Sequence, residues 1–120
     1  MKRVLVVEDT EDNRKIIRDL MTSAGYETIE AVTGEEGVAM AAEHRPDLIL
    51  MDVQLPVLDG YEATRRIKAN PATRHIPVIA VTSYALSGDE EKTRAAGCDA
   101  YVAKPFSPRL LLAKVRGFLE

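Results

Sequence analysis

The sequence predicts an α/β fold, in which an open, doubly wound sheet of five parallel strands carries helices on both faces. Short apolar runs alternate along the chain with longer stretches of helical periodicity, which is typical of repeated strand–helix units. Most of the short runs are apolar throughout, as expected for parallel strands that are buried on both faces. Right-handed crossovers through the intervening helices then place helices on both sides of the sheet.

Five segments are predicted to be strands. Four of them are apolar throughout and are expected to be buried on both faces, namely residues 4–7, 48–51, 78–81 and 100–103. Residues 28–31 instead alternate between polar and apolar side chains, which is the pattern of a strand with one exposed face. This second segment is therefore the predicted edge strand.

The first two predicted helices begin and end at recognisable residues. The first follows Thr10 and ends at Gly25, while the second opens with a capping box of Thr33 and Glu36 and ends before Pro46. Apolar residues recur in both at the spacing of one helical face. The side chains expected to face the sheet are Ile16, Ile17, Leu20, Met21 and Ala24 in the first helix and Val38, Ala41 and Ala42 in the second.

The third and fifth predicted helices also carry start signals. The third begins at Asp59 and Gly60 with Glu62 in its first turn, and the fifth has Ser107 as its cap and Pro108 at its first position. The side chains expected on the inner faces are Tyr61, Thr64 and Ile67 in the third helix and Leu111, Leu112, Val115, Phe118 and Leu119 in the fifth.

The fourth predicted helix differs from the others in its composition. It opens with Ser87 and Glu90 as a capping box, ends near Gly97, and offers only Ala95 and Ala96 as apolar anchors among charged residues. Little apolar area would hold it to the sheet, so it is expected to be the least firmly anchored helix. A solvated helix and a mobile regulatory face are both compatible with this composition.

Length and composition limit the classes of protein to which the chain can belong. Its 120 residues fit one domain, residues 1–120, and the net charge of −3 lacks the basic footprint of a nucleic-acid-binding protein. The single cysteine, Cys98, excludes an internal disulfide framework. The first apolar run is too short for a signal peptide, and no run approaches the roughly 18 apolar residues of a membrane span. A cytoplasmic location is therefore expected.

Polar residues follow the predicted strands at the points where the strands end. Glu8 and Asp9 follow the first, Asp52 the third, Thr82 the fourth and Lys104 the fifth. The carboxyl ends of parallel strands meet at one edge of a sheet, where ligands of such folds bind. The dipole of a helix favours an acidic residue near the first turn, which explains one acid at this edge. It does not explain three acids that follow two neighbouring strands.

Three carboxylates that are close together repel one another, which a divalent cation relieves. Each pair at about 4 Å costs on the order of 4 kcal/mol at an effective dielectric constant near 20, and an oxygen donor set suits Mg²⁺. A carboxylate such as Asp52 is also a nucleophile towards phosphorus, and Lys104, Thr82 and Mg²⁺ would stabilise the phosphoryl charge. His44 and His75 are expected to be surface residues rather than ligands of a soft metal.

These residues resemble the site of response-regulator receiver domains in order and spacing. The resemblance covers the whole chain and includes residues 52–60, which are similar to the phosphoacceptor loop of that family. It implies a flavodoxin-like (βα)₅ fold with strand order 2-1-3-4-5. It also implies that Asp52 is the phosphoacceptor and that Mg²⁺ is held by Glu8, Asp9, Asp52 and the backbone carbonyl of Gln54.

The resemblance also implies how the site would signal. Lys104 would contact the phosphoryl group across a cis peptide bond with Pro105, and Thr82 and Tyr101 would form the switch pair. Tyr84 is expected to shield the acyl phosphate from water. The implied partners are a histidine kinase or histidine phosphotransfer protein and a protein output partner on the face of helix four, strand five and helix five. No direct contact with nucleic acid or a membrane is expected.

The resemblance extends to stand-alone, DivK-like regulators of cell-cycle and polarity control, through residues 26–28, 46–52 and 88–91. Such a domain is not an enzyme in the ordinary sense, although it promotes its own phosphotransfer and dephosphorylation. A receiver fragment of a hybrid histidine kinase or of a DNA-binding regulator is the alternative interpretation.

Three other classes of protein agree less well with these residues. A phosphatase of the haloacid-dehalogenase type needs an acid where Gln54 stands, and Glu8 and Asp9 would repel the phosphate of a flavodoxin. A dinucleotide-binding domain needs a glycine fingerprint after strand one, which is absent.

Overall fold

The computed structural model describes residues 1–82, 87–104 and 107–120, and of residues 87–90 it describes the backbone alone. All five strands are parallel and form one sheet in the order β2-β1-β3-β4-β5, which confirms the predicted fold class and strand order. The strands are β1 (Arg3–Val7), β2 (Glu27–Ala31), β3 (Leu48–Asp52), β4 (Val78–Thr82) and β5 (Ala100–Ala103).

Within the described ranges, five helices connect or follow the strands, and they begin at the predicted positions. They are α1 (Glu11–Ser23), α2 (Gly34–His44), α3 (Gly60–Ala69), α4 (Ser87–Ala96) and α5 (Pro108–Leu119). The Thr33 side chain accepts the Glu36 N–H at 3.0 Å, while the Glu36 carboxylate accepts the Val32 N–H at 3.1 Å. Asp59 and Ser107 cap α3 and α5 in the same way. In the described part of the chain, no helix is long and apolar enough to span a membrane.

The core consists of two apolar layers because successive side chains of a strand point to opposite faces of the sheet. One layer contains Leu5 and Ile49 and packs under α2 and α3. The other contains Val4 and Leu50 and packs under α1 and α5. The inner strands β1, β3 and β4 are buried almost throughout, so their carboxyl ends are held rigidly at the edge where the polar residues lie.

The expectation that β5 is buried on both faces is wrong. Only Val102 is fully buried in this strand, and its other residues are half-buried. The strand lies at the edge of the sheet and pairs with β4 alone, so it has fewer neighbours than an inner strand. An apolar sequence of four residues therefore does not distinguish an inner strand from a partly covered edge strand.

Several side chains that were expected to face the sheet are exposed. Ile16 of α1 is 53% exposed and Phe118 of α5 is 40% exposed, and Ala42 and Ala95 are exposed as well. Each of these residues lies next to the buried face of its helix. The hydrophobic periodicity therefore identified the helix but predicted a wider buried face than the structure has.

Of the side chains of α2 that were expected to face the sheet, Ala41 is buried and Val38 packs partly buried against the core, but two glycines share the buried face and Ala42 does not. Gly34, Gly37 and Ala41 are buried, and they share one face of the helix. A Cβ atom on Gly37 would lie 2.9 Å from the Val7 side chain, which is closer than ordinary packing allows. The small residues therefore let α2 approach β1 closely, and Ala42 is left on the outer side.

Candidate functional site

Three carboxylates meet at the carboxyl ends of β1 and β3. Val7 pairs with Met51 in the sheet, so Glu8 follows β1 directly beside Asp52, the last residue of β3. One carboxylate oxygen from each of Glu8, Asp9 and Asp52 lies within 4.8 Å of the others. Glu8 and Asp52 are only 1% and 3% exposed, whereas Asp9 is exposed.

Backbone groups orient the two buried carboxylates. The Thr10 N–H donates to Oε2 of Glu8 at 3.1 Å, and the Gln54 N–H donates to Oδ1 of Asp52 at 2.9 Å. Gly60 packs against the backbone of Asp52 from the other side. A Cβ atom at Gly60 would lie 2.2 Å from the Asp52 carbonyl oxygen, so only glycine fits there.

Lys104 projects from the end of β5 into this acidic cluster. Its Nζ donates to Oε1 of Glu8 at 2.8 Å and lies 3.5 Å from Oδ2 of Asp52, and its side chain is only 16% exposed. Burial acts to lower the pKa of Lys104, but the hydrogen bond to Glu8 and the charge of Asp52 outweigh it and raise this pKa. The ammonium group therefore stays charged beside the two carboxylates.

The remaining site residues of the sequence analysis lie on β4 and β5. Thr82 is fully buried at the end of β4, one residue beyond the pair formed by Asp52 and Val81, and its carbonyl accepts the Lys104 N–H at 2.6 Å. Tyr101 is half-buried and lines a cavity of about 250 Å³ beside α4 and α5.

Two expectations about this site, like the capping box of Ser87 and Glu90 in α4, fall outside what the structure describes. The cis peptide bond expected between Lys104 and Pro105 involves a residue outside the described ranges. Tyr84, which was expected to shield the acyl phosphate, lies outside them too.

The acidic cluster fits a hard divalent cation. Its three ligand groups are all carboxylates, and hard cations such as Mg²⁺ prefer oxygen ligands. Lys104 supplies one positive charge against three negative ones, so the cluster as described carries an uncompensated negative charge. His44 and His75 are exposed, as expected. A contribution of the Gln54 carbonyl to the metal site remains a prediction.

One residue that contacts this site was missed by the sequence analysis. Arg14 of α1 donates from Nη1 to the backbone carbonyls of Glu8 and Asp9 at 3.0 and 3.5 Å, and from Nε to Glu30 of β2 at 3.2 Å. A cation near the start of a helix opposes the helix dipole, and this is the signal in the sequence that marks Arg14 as unusual.

Comparisons with known proteins agree on one family. The family model described as the response regulator receiver domain matches residues 4–116. The chain is 50% identical over 118 residues to the polar-differentiation response regulator DivK of Brucella anthropi, and the match covers 98% of this chain and 96% of that protein. It is 49% identical to the DivK protein of Brucella melitensis, with the same coverage.

Solved structures of receiver domains superpose closely on the chain. The receiver domain of a sensor histidine kinase from Pseudomonas aeruginosa, which has a magnesium ion coordinated in its active-site cleft, is 41% identical with a TM-score of 0.91 and covers 98% of this chain and 96% of its own. The chemotaxis protein CheY4 of Vibrio cholerae is 29% identical with a TM-score of 0.92, and the superposition covers 98% of each chain. This chain therefore belongs to the response regulator receiver domains of two-component signalling.

Proposed function

We propose that the chain accepts a phosphoryl group on Asp52 from a phosphohistidine donor in a Mg²⁺-dependent reaction, and passes the signal to a protein partner. The observation that carries this proposal is the placement of the Asp52 carboxylate. It is buried next to Glu8, within 4.8 Å of two other carboxylates, and Lys104 lies 3.5 Å away. A nucleophile, a hard-metal donor set and a fixed cation thus share one edge of the sheet.

In the proposed reaction, a carboxylate oxygen of Asp52 attacks phosphorus and forms an acyl phosphate. The bond between phosphorus and the donor's imidazole nitrogen breaks, and its electron pair leaves with the imidazole. Lys104 stabilises the negative charge on the phosphoryl oxygens, because its ammonium group lies 3.5 Å from the Asp52 carboxylate that receives the phosphoryl group. Mg²⁺ bound by Glu8, Asp9, Asp52 and the Gln54 carbonyl would supply further charge neutralisation.

The proposed switch runs from Asp52 through β4 to β5. Thr82 is one residue beyond the β4 partner of Asp52, and its hydroxyl would turn towards the phosphoryl group. Tyr101 lies on the neighbouring strand, opposite Ala80, and lines a cavity of about 250 Å³, and its ring would turn inward when the switch operates. The protein partner would recognise the face of α4, β5 and α5 around this residue.

We propose that the chain is a stand-alone regulator of polarity or the cell cycle that acts in the cytoplasm. The match to DivK of Brucella anthropi covers 96% of that protein, whose name describes a response regulator of polar differentiation. A receiver excised from a hybrid kinase is the second candidate, because the similar Pseudomonas aeruginosa domain belongs to a sensor histidine kinase. The kinase or phosphotransfer protein that donates to Asp52 would differ between these two cases.

Phosphorylation with a small donor tests the proposal directly. The protein is incubated with acetyl phosphate in the presence of Mg²⁺ or EDTA, and the intact mass is measured. A gain of about 80 Da is expected for the wild type with Mg²⁺. It should be lost in EDTA and in Asp52→Asn, but not in Asp47→Asn, which removes an exposed carboxylate at the opposite end of β3. The proposal fails if the wild type gains no mass or if Asp52→Asn gains as much.

A further inference from the structure

The loop between β1 and α1 carries both Glu8 and Asp9, and Arg14 holds this loop from the helix side. Its Nη1 donates to the Glu8 carbonyl at 3.0 Å and lies 3.5 Å from the Asp9 carbonyl. The Arg14 side chain is only 16% exposed, so its shorter contact, with the Glu8 carbonyl, is partly shielded from competing water, whereas the contact with Asp9 is exposed. The two carbonyls belong to the same residues whose carboxylates face Asp52.

Glu30 fixes the direction in which the Arg14 guanidinium points. Its Oε1 accepts from Nε of Arg14 at 3.2 Å, and it stands on β2, which pairs with β1. Nε and Nη1 lie on one rigid planar group, so the bond to Glu30 determines where Nη1 can donate. The strand neighbouring β1 thus anchors the side chain that holds the loop at the end of β1.

We propose that Arg14 is a positioning residue for cation binding, which fixes the loop so that Glu8 and Asp9 direct their carboxylates towards Asp52. This inference rests on the proposed function, because it takes the acidic cluster as a metal site. Groups that orient metal ligands without touching the metal are worth about 10- to 100-fold in metal affinity. Arg14 acts through its hydrogen bond to the Glu8 carbonyl, and Glu30 holds the Arg14 guanidinium in place.

The sign of the effect separates this role from simple electrostatics. Arg14 is a cation near a cation site, so removing its charge alone would strengthen Mg²⁺ binding. A positioning role predicts the opposite, because a loosened loop lets the carboxylates of Glu8 and Asp9 move apart. The helix also supplies a control with the same charge. Arg18 contacts Glu30 from Nη1 at 3.1 and 3.3 Å, and among the described contacts it makes none with the loop.

Direct measurement of Mg²⁺ binding by calorimetry, on the full chain without a phosphoryl donor, tests this role. Arg14→Ala is expected to weaken Mg²⁺ binding about tenfold. Arg18→Ala should bind Mg²⁺ as tightly as the wild type or slightly more tightly. Arg14→Lys keeps the charge but cannot reach Glu30 and the loop carbonyls together, so it is expected to restore little of the affinity.

The Mg²⁺ dependence of labelling by acetyl phosphate supplies a second readout. In Arg14→Ala the half-saturating Mg²⁺ concentration should rise about tenfold, whereas the rate at saturating Mg²⁺ should stay within about twofold of the wild type. Asp52 and Lys104 stand on other strands, and at saturating Mg²⁺ the bound ion would hold Glu8, the loop residue that Lys104 contacts, in place. General damage to the fold would instead lower the rate at every Mg²⁺ concentration.

Substitution of Glu30 tests the same idea even if Arg14→Ala fails to fold. Glu30→Ala should weaken Mg²⁺ binding because Arg14 loses its anchor, whereas Glu30→Gln, which loses the same charge but keeps a side-chain oxygen that can accept from Nε of Arg14, should bind Mg²⁺ more tightly than Glu30→Ala. Equal Mg²⁺ affinities for Arg14→Ala and Arg18→Ala, or for Glu30→Ala and Glu30→Gln, would overturn the inference. A wild type that binds no Mg²⁺ would instead overturn the proposed function.

Discussion

Replacing Asp52 by asparagine is expected to stabilise the protein when no divalent cation is present. The Asp52 carboxylate lies within 4.8 Å of two like charges, on Glu8 and Asp9, and 3.5 Å from one opposite charge, on Lys104. An asparagine removes the charge but keeps a side-chain oxygen that can accept the Gln54 N–H. The substitution thus relieves two repulsions, loses one attraction and preserves the local hydrogen bond.

The distances determine the size of the expected effect. Two unit charges within 4.8 Å of each other repel by about 3.5 kcal/mol or more at an effective dielectric constant of about 20, and opposite charges 3.5 Å apart attract by about 5 kcal/mol. Removing both repulsions and the one attraction leaves a net gain of about 2 kcal/mol. Solvent screens the exposed Asp9, which reduces the expected stabilisation to about 1 kcal/mol. This corresponds to a rise of about 3–6 °C in Tm for a domain of this size.

Thermal unfolding followed by circular dichroism in EDTA measures this gain. Asp47→Asn is the control, because it makes the same chemical change to an exposed carboxylate that accepts the Arg3 N–H at 2.8 Å, and it should not stabilise. Added Mg²⁺ should raise the Tm of the wild type more than that of Asp52→Asn, since the ion relieves the repulsion that the substitution has already removed. A Tm of Asp52→Asn at or below that of the wild type in EDTA would refute this reasoning.

Two further substitutions test the packing around the site and the far end of the sheet. Gly60→Ala should lower the free energy of unfolding by about 3 kcal/mol in urea titrations, since its Cβ would lie 2.2 Å from the Asp52 carbonyl oxygen. Gly117→Ala is the control, because a Cβ at this position meets nothing within 4 Å. Equal free energies of unfolding for the two variants would contradict this prediction. Tyr26→Phe removes the hydrogen bond from the Tyr26 hydroxyl to Glu120 and should cost about 1 kcal/mol at neutral pH. Burial and this hydrogen bond raise the pKa of Tyr26, so the folded state binds the phenol proton more tightly and the wild type should lose stability as pH rises above about 10. The Phe variant should lack this loss, and parallel stability curves for the two proteins would refute the assignment.

The fold was predictable because its strongest signals are local. Uninterrupted apolar runs identify buried parallel strands, and capping residues such as Thr33 and Asp59 identify helix starts. The exposure of single side chains was less predictable, because it depends on how far a neighbouring element extends. Gly37 shows the difficulty best. It lies on the most closely packed face of α2, and a hydrophobicity pattern gives a glycine no weight.

The candidate site was predictable to the extent that it depends on topology. Parallel strands end at one edge, so acids after β1 and β3 had to come close together, and Lys104 after β5 reached the same edge. The position of Arg14 near the start of α1 is unusual, but its contacts with the loop were not predictable, because they go to backbone carbonyls, which have no sequence signal. The closer approach of Lys104 to Glu8 than to Asp52 depends on side-chain geometry that spacing does not determine.

In the proposed function, the distribution of packing in the sheet explains why a charge change at Asp52 would displace β5. Strands β1, β3 and β4 are buried and paired on both sides, so they resist displacement. Strand β5 pairs with β4 alone and is mostly half-buried, yet its end joins the site through two groups of Lys104. The N–H of this residue donates to the Thr82 carbonyl and its ammonium group to Glu8. In the proposed function, a new charge on Asp52 would pull on Lys104, and β5, which carries Tyr101, is paired on one side only and so has less strand pairing to lose than β4.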